Sequence, residues 1–310
     1  MELIRIFRRE LEQIGGRVVV GDIDATAPAL YFAHRTYLLP AFRSSDIIEV
    51  LVDVCKKEEI DFIIPLLDPE LQFYTEHFQT LSEQGIRILM PAPDFVRMSG
   101  SKLATWNAFR EAGLLTPEIF SWDDQDIRFP VLLKPDRGSA GKGIYLVRNK
   151  EQLEAIRSHI LREDWKDYMI QQFVEGDEIT TDVMTDFSGN PLFIVQRMRL
   201  KIRGGEVERG KTVFIPGVEK KILDFVQRWQ PAGVFNVQCF VREEKIWFTE
   251  INARFGGGYP LSYRAGANFP RALAELYQGK KLAYRADYRK DLYMLRFDGA
   301  LYLPENELFS

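Results

Sequence analysis

The order of strands and helices changes near residue 95, and this change restricts the fold more than any other feature. Before it, three apolar runs typical of buried strands alternate with helical patterns. They read RVVVGDI from Arg17, IDFIIPLLD from Ile60 and IRILMP from Ile86. Strands that alternate with helices form parallel sheets through right-handed crossovers. Residues 1–95 are therefore predicted to form a parallel α/β layer.

The chain opens on a helix, whereas layers of this kind usually open on a strand. Four apolar residues recur on one helical stripe, and Gly15 with Gly16 would end the helix. They are Leu3, Phe7, Leu11 and Ile14. The first strand and its turn are therefore predicted to be missing. The strand that starts at Arg17 would then expose an edge.

After residue 95 the pattern is typical of antiparallel sheets with helices on one face. A helix is predicted from about Ser101 to Ala112, and FPVLLKPDRGSAGKGIYLV from Phe129 reads as strand, glycine loop and strand. A hairpin is predicted around residues 188–190. We therefore divide the chain into an α/β domain and a longer α+β domain. The ranges are 1–95 and 96–310, the latter with subdomains of about 96–170 and 171–310.

Composition excludes several classes of protein. A net charge of −4 argues against a general nucleic-acid binder. Cys55 and Cys239 lie far apart and form no metal motif, which favours a reduced cytosolic setting. No apolar run reaches the length of a membrane span, and no signal peptide is recognisable. We therefore expect a cytoplasmic protein that binds neither nucleic acid nor membrane.

The glycine loop KPDRGSAGKG runs from Lys134 to Gly143. It joins two strands, so it fits neither the Walker A spacing nor the dinucleotide fingerprint. Glycines allow backbone N–H groups to approach phosphate oxygens, and Lys134 could reach the same phosphates. Taken alone, the loop is better explained by a flexible hairpin.

A second hairpin, GVFNVQCFV and KIWFTEIN around Arg242–Glu244, sorts its side chains by face. If these three residues form the loop, one face of the hairpin is largely apolar and can pack in the core. Four polar residues occupy the other face, which Phe248 is predicted to cover: Asn236, Gln238, Glu250 and Asn252. One carboxylate with amide oxygens is a ligand set that suits Mg²⁺. The alternative is a solvated sheet face.

Several segments occur together in an order and at a spacing that resembles one superfamily. They are Lys102, PVLLKPDRGSAGKG, QQFVEGDE and NVQCFV with FTEINARFGGG. Over roughly residues 18 to 303 they resemble the ATP-grasp superfamily, and most closely its carbamoyl-phosphate-synthetase-like branch. The resemblance implies a Rossmann-like pre-ATP-grasp domain followed by an ATP-grasp fold that holds ATP between antiparallel sheets.

The resemblance also implies a role for each matching residue. Lys102 and Lys134 match the cations on the ATP phosphates, and Arg254 matches the arginine that contacts the transferring phosphoryl group. The phosphate lid is matched by Gly138, Ser139, Gly141 and Gly143. The adenine hinge and the ribose carboxylate are matched by Gln172, Phe173, Val174 and Glu178. The Mg²⁺ (or Mn²⁺) ligands are matched by Gln238, Glu250 and Asn252. The chain departs from common family residues at Ser101, Gln172 and Gln238.

For the residues that could bind the substrates, the sequence allows more than one role. Asp68 and Glu70 follow the carboxyl end of a parallel strand, where open α/β sheets bind ligands, so they could hold a substrate ammonium. Equally, Asp68 could cap the following helix. Backbone donors in Gly256, Gly257 and Gly258 are expected to meet an acyl phosphate. The basic run from Arg197 to Lys211 is either an anionic-substrate loop, with Lys211 as a second catalytic residue, or a solvated loop.

These features predict an ATP- and magnesium-dependent ligase. Such an enzyme converts a small carboxylate into an acyl phosphate, which an amine or thiol then attacks. Positioning and electrostatics carry this chemistry, so no nucleophilic side chain is required. Two alternatives stay open: a nucleotide-binding module without activity, and a subunit that works only with a partner. Small-molecule substrates and a homodimer are the expected partners.

Overall fold

The computed structural model describes residues 1–138, 141–162 and 164–308, without the side chain of Leu161. Ser139, a predicted nucleotide contact, lies outside the described residues. Within those ranges, no helix combines the length and the hydropathy needed to cross a bilayer. The division at residue 95 stays a prediction.

The N-terminal part is the predicted parallel α/β layer, and it is split into two strand pairs. Its helices and strands are α1 (Glu2–Glu12), β1 (Val19–Asp22), β2 (Arg35–Leu38), α2 (Ile47–Lys57), α3 (Asp68–Glu76), α4 (Phe78–Glu83) and α5 (Pro93–Ser99). Strand β1 pairs with β2 in parallel, and Ile63 forms a separate parallel bridge with Ile88. Among the described residues, no strand precedes α1 and no strand joins the two pairs.

Helix α1 is fixed by its apolar stripe and by one buried carboxylate. Ile6 and Phe7 lie in a cluster with residues of the C-terminal helices, including Phe269 and Leu273. Glu10 is also buried, and it accepts hydrogen bonds from the Tyr263 hydroxyl and from Asn268 Nδ2. A buried carboxylate must be hydrogen-bonded to be tolerated, so these contacts hold α1 against the C-terminal part of the chain.

The remainder of the chain forms two antiparallel sheets with helices. Helix α6 (Lys102–Glu111) precedes the smaller sheet, and helix α7 (Lys150–Ala155) lies between its last two strands in the chain. The strands of this sheet are β3 (Ile119–Phe120), β4 (Val131–Pro135), β5 (Tyr145–Val147) and β6 (Tyr168–Gln172), in the order β3-β6-β4-β5. The larger sheet contains β7 (Asp177–Thr185), β8 (Pro191–Arg203), β9 (Glu206–Val213), β10 (Val234–Arg242), β11 (Lys245–Asn252) and β12 (Tyr293–Leu295), with strand order β11-β10-β7-β8-β9-β12. Its helices are α8 (Pro216–Trp229), α9 (Tyr259–Arg264) and α10 (Phe269–Tyr277).

The two faces of the six-stranded sheet have different surroundings. One face is apolar and packs against α2, α3, α5, α6 and α8 in the main core. The other face is apolar only at one end, where Met184, Phe193 and Val234 meet α1, α9 and α10. The rest of that second face carries polar side chains, among them Glu250 and Gln238. This polar zone is the candidate site.

The β10–β11 hairpin differs from its predicted register. Arg242 pairs with Lys245, so the turn has two residues and not three. A β-bulge then follows, because Cys239 pairs with Phe248 but Gln238 pairs with Glu250, which leaves Thr249 as the extra residue. Phe248 therefore lies in the main core and does not cover the polar face, contrary to the prediction. The bulge restores the predicted common face for Asn236, Gln238, Glu250 and Asn252.

The predicted basic loop is an ordered β8–β9 hairpin. Its turn is formed by Gly204 and Gly205, both with positive φ, which two-residue hairpin turns of this hand require. Most of its basic side chains are paired with acids: Arg197 with Asp182, Arg199 with Glu178, Lys201 with Glu208, Arg203 with Asp298 and Lys211 with Asp291. These ion pairs join the hairpin to neighbouring strands and loops, and the two predicted roles of the run stay predictions.

Candidate active site

Strand register places the polar side chains in two adjacent rows across the larger sheet. Glu250, Gln238, Thr180 and Arg197 are cross-strand partners on β11, β10, β7 and β8. Asn252, Asn236 and Asp182 form the next row on the same face. Facing residues of antiparallel strands share one side of the sheet, so the rows form one continuous polar surface.

Two lysines face this surface from the other side. Lys134 lies on β4 and is only 7% exposed, and burial lowers the pKa of its ammonium group to about 8. Burial also lowers the pKa of Lys102, against the opposing effect of Glu250. Because Glu250 acts electrostatically on both ammonium groups, the three side chains lie in one cluster. The role of Lys102 and Lys134 on the ATP phosphates stays a prediction.

Lys102 and the glycine loop are tied to each other. Lys102 is the first residue of α6, and its Nζ donates to the carbonyl oxygens of Gly138 (3.0 Å) and Asp136 (3.3 Å). The Asp136 carboxylate accepts from Ser101 Oγ at 2.9 Å and from Leu103 N at 2.8 Å. Asp136 therefore accepts hydrogen bonds from donors at the N-terminus of α6, which would otherwise lack partners within the helix. These bonds also hold the start of the glycine loop beside Lys102.

The glycines of the loop that the structure describes adopt backbone angles that favour glycine. Gly138, Gly141 and Gly143 all have φ between 70° and 122°, where a Cβ is strained. At Gly143 a Cβ would also lie 2.7 Å from Tyr168 Oη. The glycines are required by the backbone; their predicted contact with phosphate stays a prediction.

One of the predicted metal ligands, Asn252, has its side-chain amide oriented by a neighbouring residue. Asn252 Nδ2 donates to Asn236 Oδ1 at 3.2 Å, which leaves Asn252 Oδ1 as the group directed to a ligand. Asn236 Nδ2 in turn donates to the Arg254 carbonyl oxygen at 3.1 Å. Sequence reasoning included Asn236 on the polar face but gave it no role. The alternating pattern of β10 was the signal that could have identified it.

Glu250 supplies the charge for such a site. Burial raises the pKa of its carboxyl group, although Lys102 and Lys134 act in the opposite direction. In the part of the chain that the structure describes, its carboxylate takes part in no hydrogen bond or ion pair at bonding distance. One carboxylate with two amide oxygens fits Mg²⁺, which uses few protein ligands and keeps waters or phosphate oxygens for the rest.

Arg254 and Asp68 are brought together by the fold. Arg254 Nε and Nη2 donate to the two carboxylate oxygens of Asp68 at 2.7 and 3.1 Å. Glu70 lies nearby but accepts from the backbone N–H groups of Leu66 and Leu67 at 2.5 and 3.1 Å, as the capping residue of α3. The cap was the role considered for Asp68, and it belongs instead to Glu70.

The glycine run after Arg254 is explained by space and not by unusual backbone angles. None of Gly256, Gly257 and Gly258 has a positive φ. A Cβ on Gly258 would lie 2.0 Å from Arg197 Nη1, and one on Gly257 would lie 1.7 Å from Glu206 Oε2. Arg197 and Asp182 form a buried bidentate pair, and Ser262 Oγ donates to Asp182 at 2.6 Å. Sequence reasoning placed Arg197 in the basic run and missed this support.

Alanine substitutions should distinguish the two kinds of contact. Gly258→Ala is expected to destabilise the protein by about 1–3 kcal/mol, because the buried Arg197 guanidinium cannot move aside. Gly257→Ala is expected to change stability by less than about 0.5 kcal/mol, because the exposed Glu206 side chain can rotate away. Urea denaturation of the two variants provides the comparison. Equal losses would mean that the close approach to Arg197 is not what requires glycine.

The predicted nucleotide hinge is partly occupied by its own backbone contacts. Gln172 N donates to the Glu118 carbonyl oxygen at 2.8 Å, and Phe173 N donates to that of Pro130 at 3.3 Å. Gln172 Oε1 also accepts from Glu118 N at 3.2 Å. Of the three hinge N–H groups, only that of Val174 lacks a partner among the described residues. Val174 is therefore the hinge donor that a base could meet.

Two further predicted residues have partners of their own. Glu178, the predicted ribose carboxylate, pairs with Arg199 at 2.5 Å. Lys211, the predicted second catalytic residue, pairs across the sheet with Met198, which pairs with Ile179. This row lies on the core face, opposite Glu250, because neighbouring rows alternate in side. The structure therefore does not bring Lys211 into the site, contrary to the prediction.

The pKa of Lys134 gives a measurable pH dependence for anion binding. Because the pKa in the free protein is about 8, the group loses its proton as pH rises above 8, and binding of a phosphate must then restore that proton. The affinity for ATP is expected to be constant below about pH 7 and to fall up to about tenfold per pH unit above pH 8. Calorimetry in buffers of different ionisation enthalpy should record proton uptake above pH 8.

A matched variant separates this effect from general unfolding. Lys134→Arg keeps a positive charge at every pH in the range, so it should bind ATP with no break near pH 8. The same break in wild type and Lys134→Arg would assign the titration to another group.

Comparison with known proteins identifies similar chains. The family model described as "PylC-like, N-terminal domain" matches residues 1–89, and the model described as "ATP-grasp in the biosynthetic pathway with Ter operon" matches residues 164–299. The formate-dependent phosphoribosylglycinamide formyltransferase of Anaeromyxobacter dehalogenans is 25% identical over 82% of this chain and 68% of its own length. That of Thioalkalivibrio sulfidiphilus is 22% identical over 79% and 65%. The chain thus spans about two thirds of the length of these relatives.

Solved structures with a similar fold include biotin carboxylases. The biotin carboxylase domain dimer of the Hydrogenobacter thermophilus 2-oxoglutarate carboxylase, in complex with MgADP, ADP and bicarbonate, matches with a TM-score of 0.75, 20% identity, and coverage of 93% of this chain and 70% of that one. Biotin carboxylase from Campylobacter jejuni, described as a beta-gamma-ATP complex, matches with a TM-score of 0.76, 16% identity, and coverage of 94% and 72%. At these identities the structural likeness concerns the fold.

Proposed function

Because this chain belongs to the ATP-grasp superfamily, as its sequence predicts, we propose that it is an ATP- and magnesium-dependent ligase. The ligase activates a small carboxylate as an acyl phosphate for attack by an amine or another nucleophile. Membership of the carbamoyl-phosphate-synthetase-like branch stays a prediction.

One observation carries this proposal: two lysines lie within electrostatic range of a sheet face that carries a carboxylate and two amide side chains. Lys102 and Lys134 lie within electrostatic range of Glu250, and Gln238 and Asn252 lie beside Glu250 on the same face. A purely structural cluster would pair the Lys134 ammonium with a carboxylate. Instead, burial lowers the pKa of Lys134, and the Glu250 carboxylate is available to bind a ligand. Perturbed pKa values of this kind are typical of functional sites.

Each group of this chain has a distinct task in the proposed reaction. Lys102 and Lys134 bind phosphate oxygens, Glu250 with Gln238 and Asn252 holds Mg²⁺, and Val174 N–H meets the base. ATP supplies the γ-phosphoryl group, and Mg²⁺ held by these residues would neutralise charge on its oxygens. An oxygen of the substrate carboxylate attacks the γ-phosphorus and ADP leaves. The nucleophile then attacks the acyl carbon and phosphate leaves.

Arg254 supports the steps at which charge builds up. Its guanidinium lies beyond Asn252, where it can donate to oxygens of the transferring phosphoryl group and of the acyl phosphate. Fixed donors in a site that excludes water stabilise developing charge without reorganisation. No protein nucleophile is needed, because the substrate carboxylate itself is the nucleophile in the first step.

Formate is the first carboxylate to test, and bicarbonate is the second. The proposal for formate follows from the formate-dependent relatives, and that for bicarbonate follows from the biotin carboxylase structure in which it is bound. The nucleophile is proposed only as a class, namely a small primary amine.

The experiment is a screen for ADP formation. Purified protein with MgATP is incubated with each acid, alone and with a panel of amino acids and other amines, and ADP is measured by a coupled assay. ADP formation that depends on an acid supports the ligase, and ADP that needs a second protein would favour the partner-dependent subunit. ATP binding without ADP formation under any combination would favour the inactive nucleotide-binding module.

We also propose a homodimer and a cytosolic setting. The dimer is supported by the matching biotin carboxylase domain dimer. The reduced setting is supported by Cys55 and Cys239, which are both buried and free. Burial raises the pKa of their thiols to about 11 and about 12, so neither is activated for redox chemistry.

A further inference from the structure

One ion pair links the N-terminal layer to the six-stranded sheet inside the candidate site. Asp68 begins α3, directly after the Ile63 strand segment, and Arg254 follows β11, 186 residues later in the chain. The two side chains form a fork, with Nε–Oδ1 at 2.7 Å and Nη2–Oδ2 at 3.1 Å. Two parallel hydrogen bonds fix the plane of a guanidinium as well as its position.

The third nitrogen of Arg254 is also engaged. Nη1 donates to the carbonyl oxygen of Phe255 at 3.2 Å. The Arg254 side chain is 18% exposed and that of Asp68 is 32% exposed, so the pair is partly shielded from water. With all three nitrogens bonded and the side chain largely enclosed, the guanidinium is held in a single orientation.

Asp68 also lies near the side chains proposed to hold the metal and the phosphates. Burial raises the pKa of Glu250, and the charge of Asp68 adds to this effect. Burial lowers the pKa of Lys102, and the charge of Asp68 opposes this effect. Through the Asp68–Arg254 pair, the N-terminal layer contacts the chain just after β11, beside these side chains.

We propose that Asp68 is a positioning residue for Arg254, an inference that rests on the proposed ligase activity. Asp68 holds the guanidinium in the plane that meets the transferring phosphoryl group, and it acts on the reaction through Arg254. This role differs from the substrate-ammonium contact predicted from the sequence. The two roles lead to different kinetics, because a positioning residue changes the rate of phosphoryl transfer whereas an ammonium contact changes the KM of the amine.

A double-mutant cycle tests the proposal. Asp68→Asn keeps the shape but weakens the fork, so the single-turnover rate of ADP formation is expected to fall about 10- to 100-fold, with the KM values for ATP and the amine unchanged. Arg254→Lys cannot form the fork, so adding Asp68→Asn to it should change the rate by less than about twofold. Asp94→Asn is the matched control. Like Asp68, Asp94 lies in the first turn of a helix and pairs with an arginine, but its side chain is exposed.

A second measurement needs no substrate. The Arg254 Nε–H should exchange slowly with solvent in the wild type, and at least about tenfold faster in Asp68→Asn but not in Asp94→Asn, as followed by NMR. Unchanged exchange, additive rate effects, or a higher KM for the amine with an unchanged rate would each overturn the positioning role. A wild type that forms no ADP with any acid would overturn the ligase proposal itself.

Discussion

Glu250→Gln is expected to abolish magnesium-dependent ADP formation, with a loss of more than about a hundredfold. The substitution removes the only carboxylate of the three predicted metal ligands and keeps its shape. A metal ion contributes several kcal/mol to transition-state stabilisation, and each 1.4 kcal/mol is about a tenfold change in rate. The measurement is initial ADP formation over a range of Mg²⁺ concentrations, with the acid identified by the screen.

The same variant has a second readout that does not need turnover. Glu250 raises the pKa of Lys134 through its charge, so Glu250→Gln should move the pH break in ATP binding below the wild-type value of about 8. Glu243→Gln is the matched control, because Glu243 lies exposed in the turn of the same hairpin. It should leave both the rate and the pH break unchanged. Wild-type turnover in Glu250→Gln would remove Glu250 from the metal site.

The fold class could be predicted because its signals are local. Alternation of strands and helices indicated the parallel layer, and the apolar period of two indicated the antiparallel strands. The β10–β11 hairpin marks the limit of such reasoning. Its four polar residues were sorted correctly, but the compensating pair of a two-residue turn and a bulge at Thr249 was not foreseen. Each irregularity shifts the register by one residue, and the two shifts cancel. The pattern of polar residues therefore gives the correct faces but does not reveal either irregularity.

The contacts that organise the site could not be predicted because they join distant segments. The Asp68–Arg254 pair depends on how the N-terminal layer packs against the larger sheet, and nothing within either segment specifies it. The same applies to the buried Arg197–Asp182 pair under Gly256 and Gly258. The sequence presented Arg197 as one of several basic residues, whereas the structure distinguishes it from Lys211 by its burial and by the face of the sheet on which it lies.

Arg254→Ala is expected to lower the single-turnover rate of ADP formation by more than about a hundredfold, with a much smaller change in ATP affinity. Removal of one well-placed donor to a developing oxyanion typically costs about 10²–10³-fold in rate. ATP in the ground state is held by Lys102, Lys134 and the metal site, none of which is removed. The effect should therefore appear in the rate and not in binding.

One consequence of the substitution must be separated from this effect. Without Arg254, the charge of Asp68 would no longer be offset by the guanidinium, and it would raise the pKa of Glu250 further and change the affinity for Mg²⁺. The rate should therefore be measured at saturating Mg²⁺ and compared with that of Arg254→Ala/Asp68→Asn, in which this repulsion is removed. If Arg254 acts on the phosphoryl group, the double variant stays as slow as the single one.

The control for this experiment is Arg264→Ala, which removes an exposed arginine that pairs with Glu2. It should retain the wild-type rate, because Arg264 lies in α9 outside the polar rows. Recovery of the wild-type rate in Arg254→Ala/Asp68→Asn would contradict a role for Arg254 in phosphoryl transfer. Arg254 would then serve only to neutralise Asp68, and the glycine run after it would serve only to pack against Arg197 and Glu206.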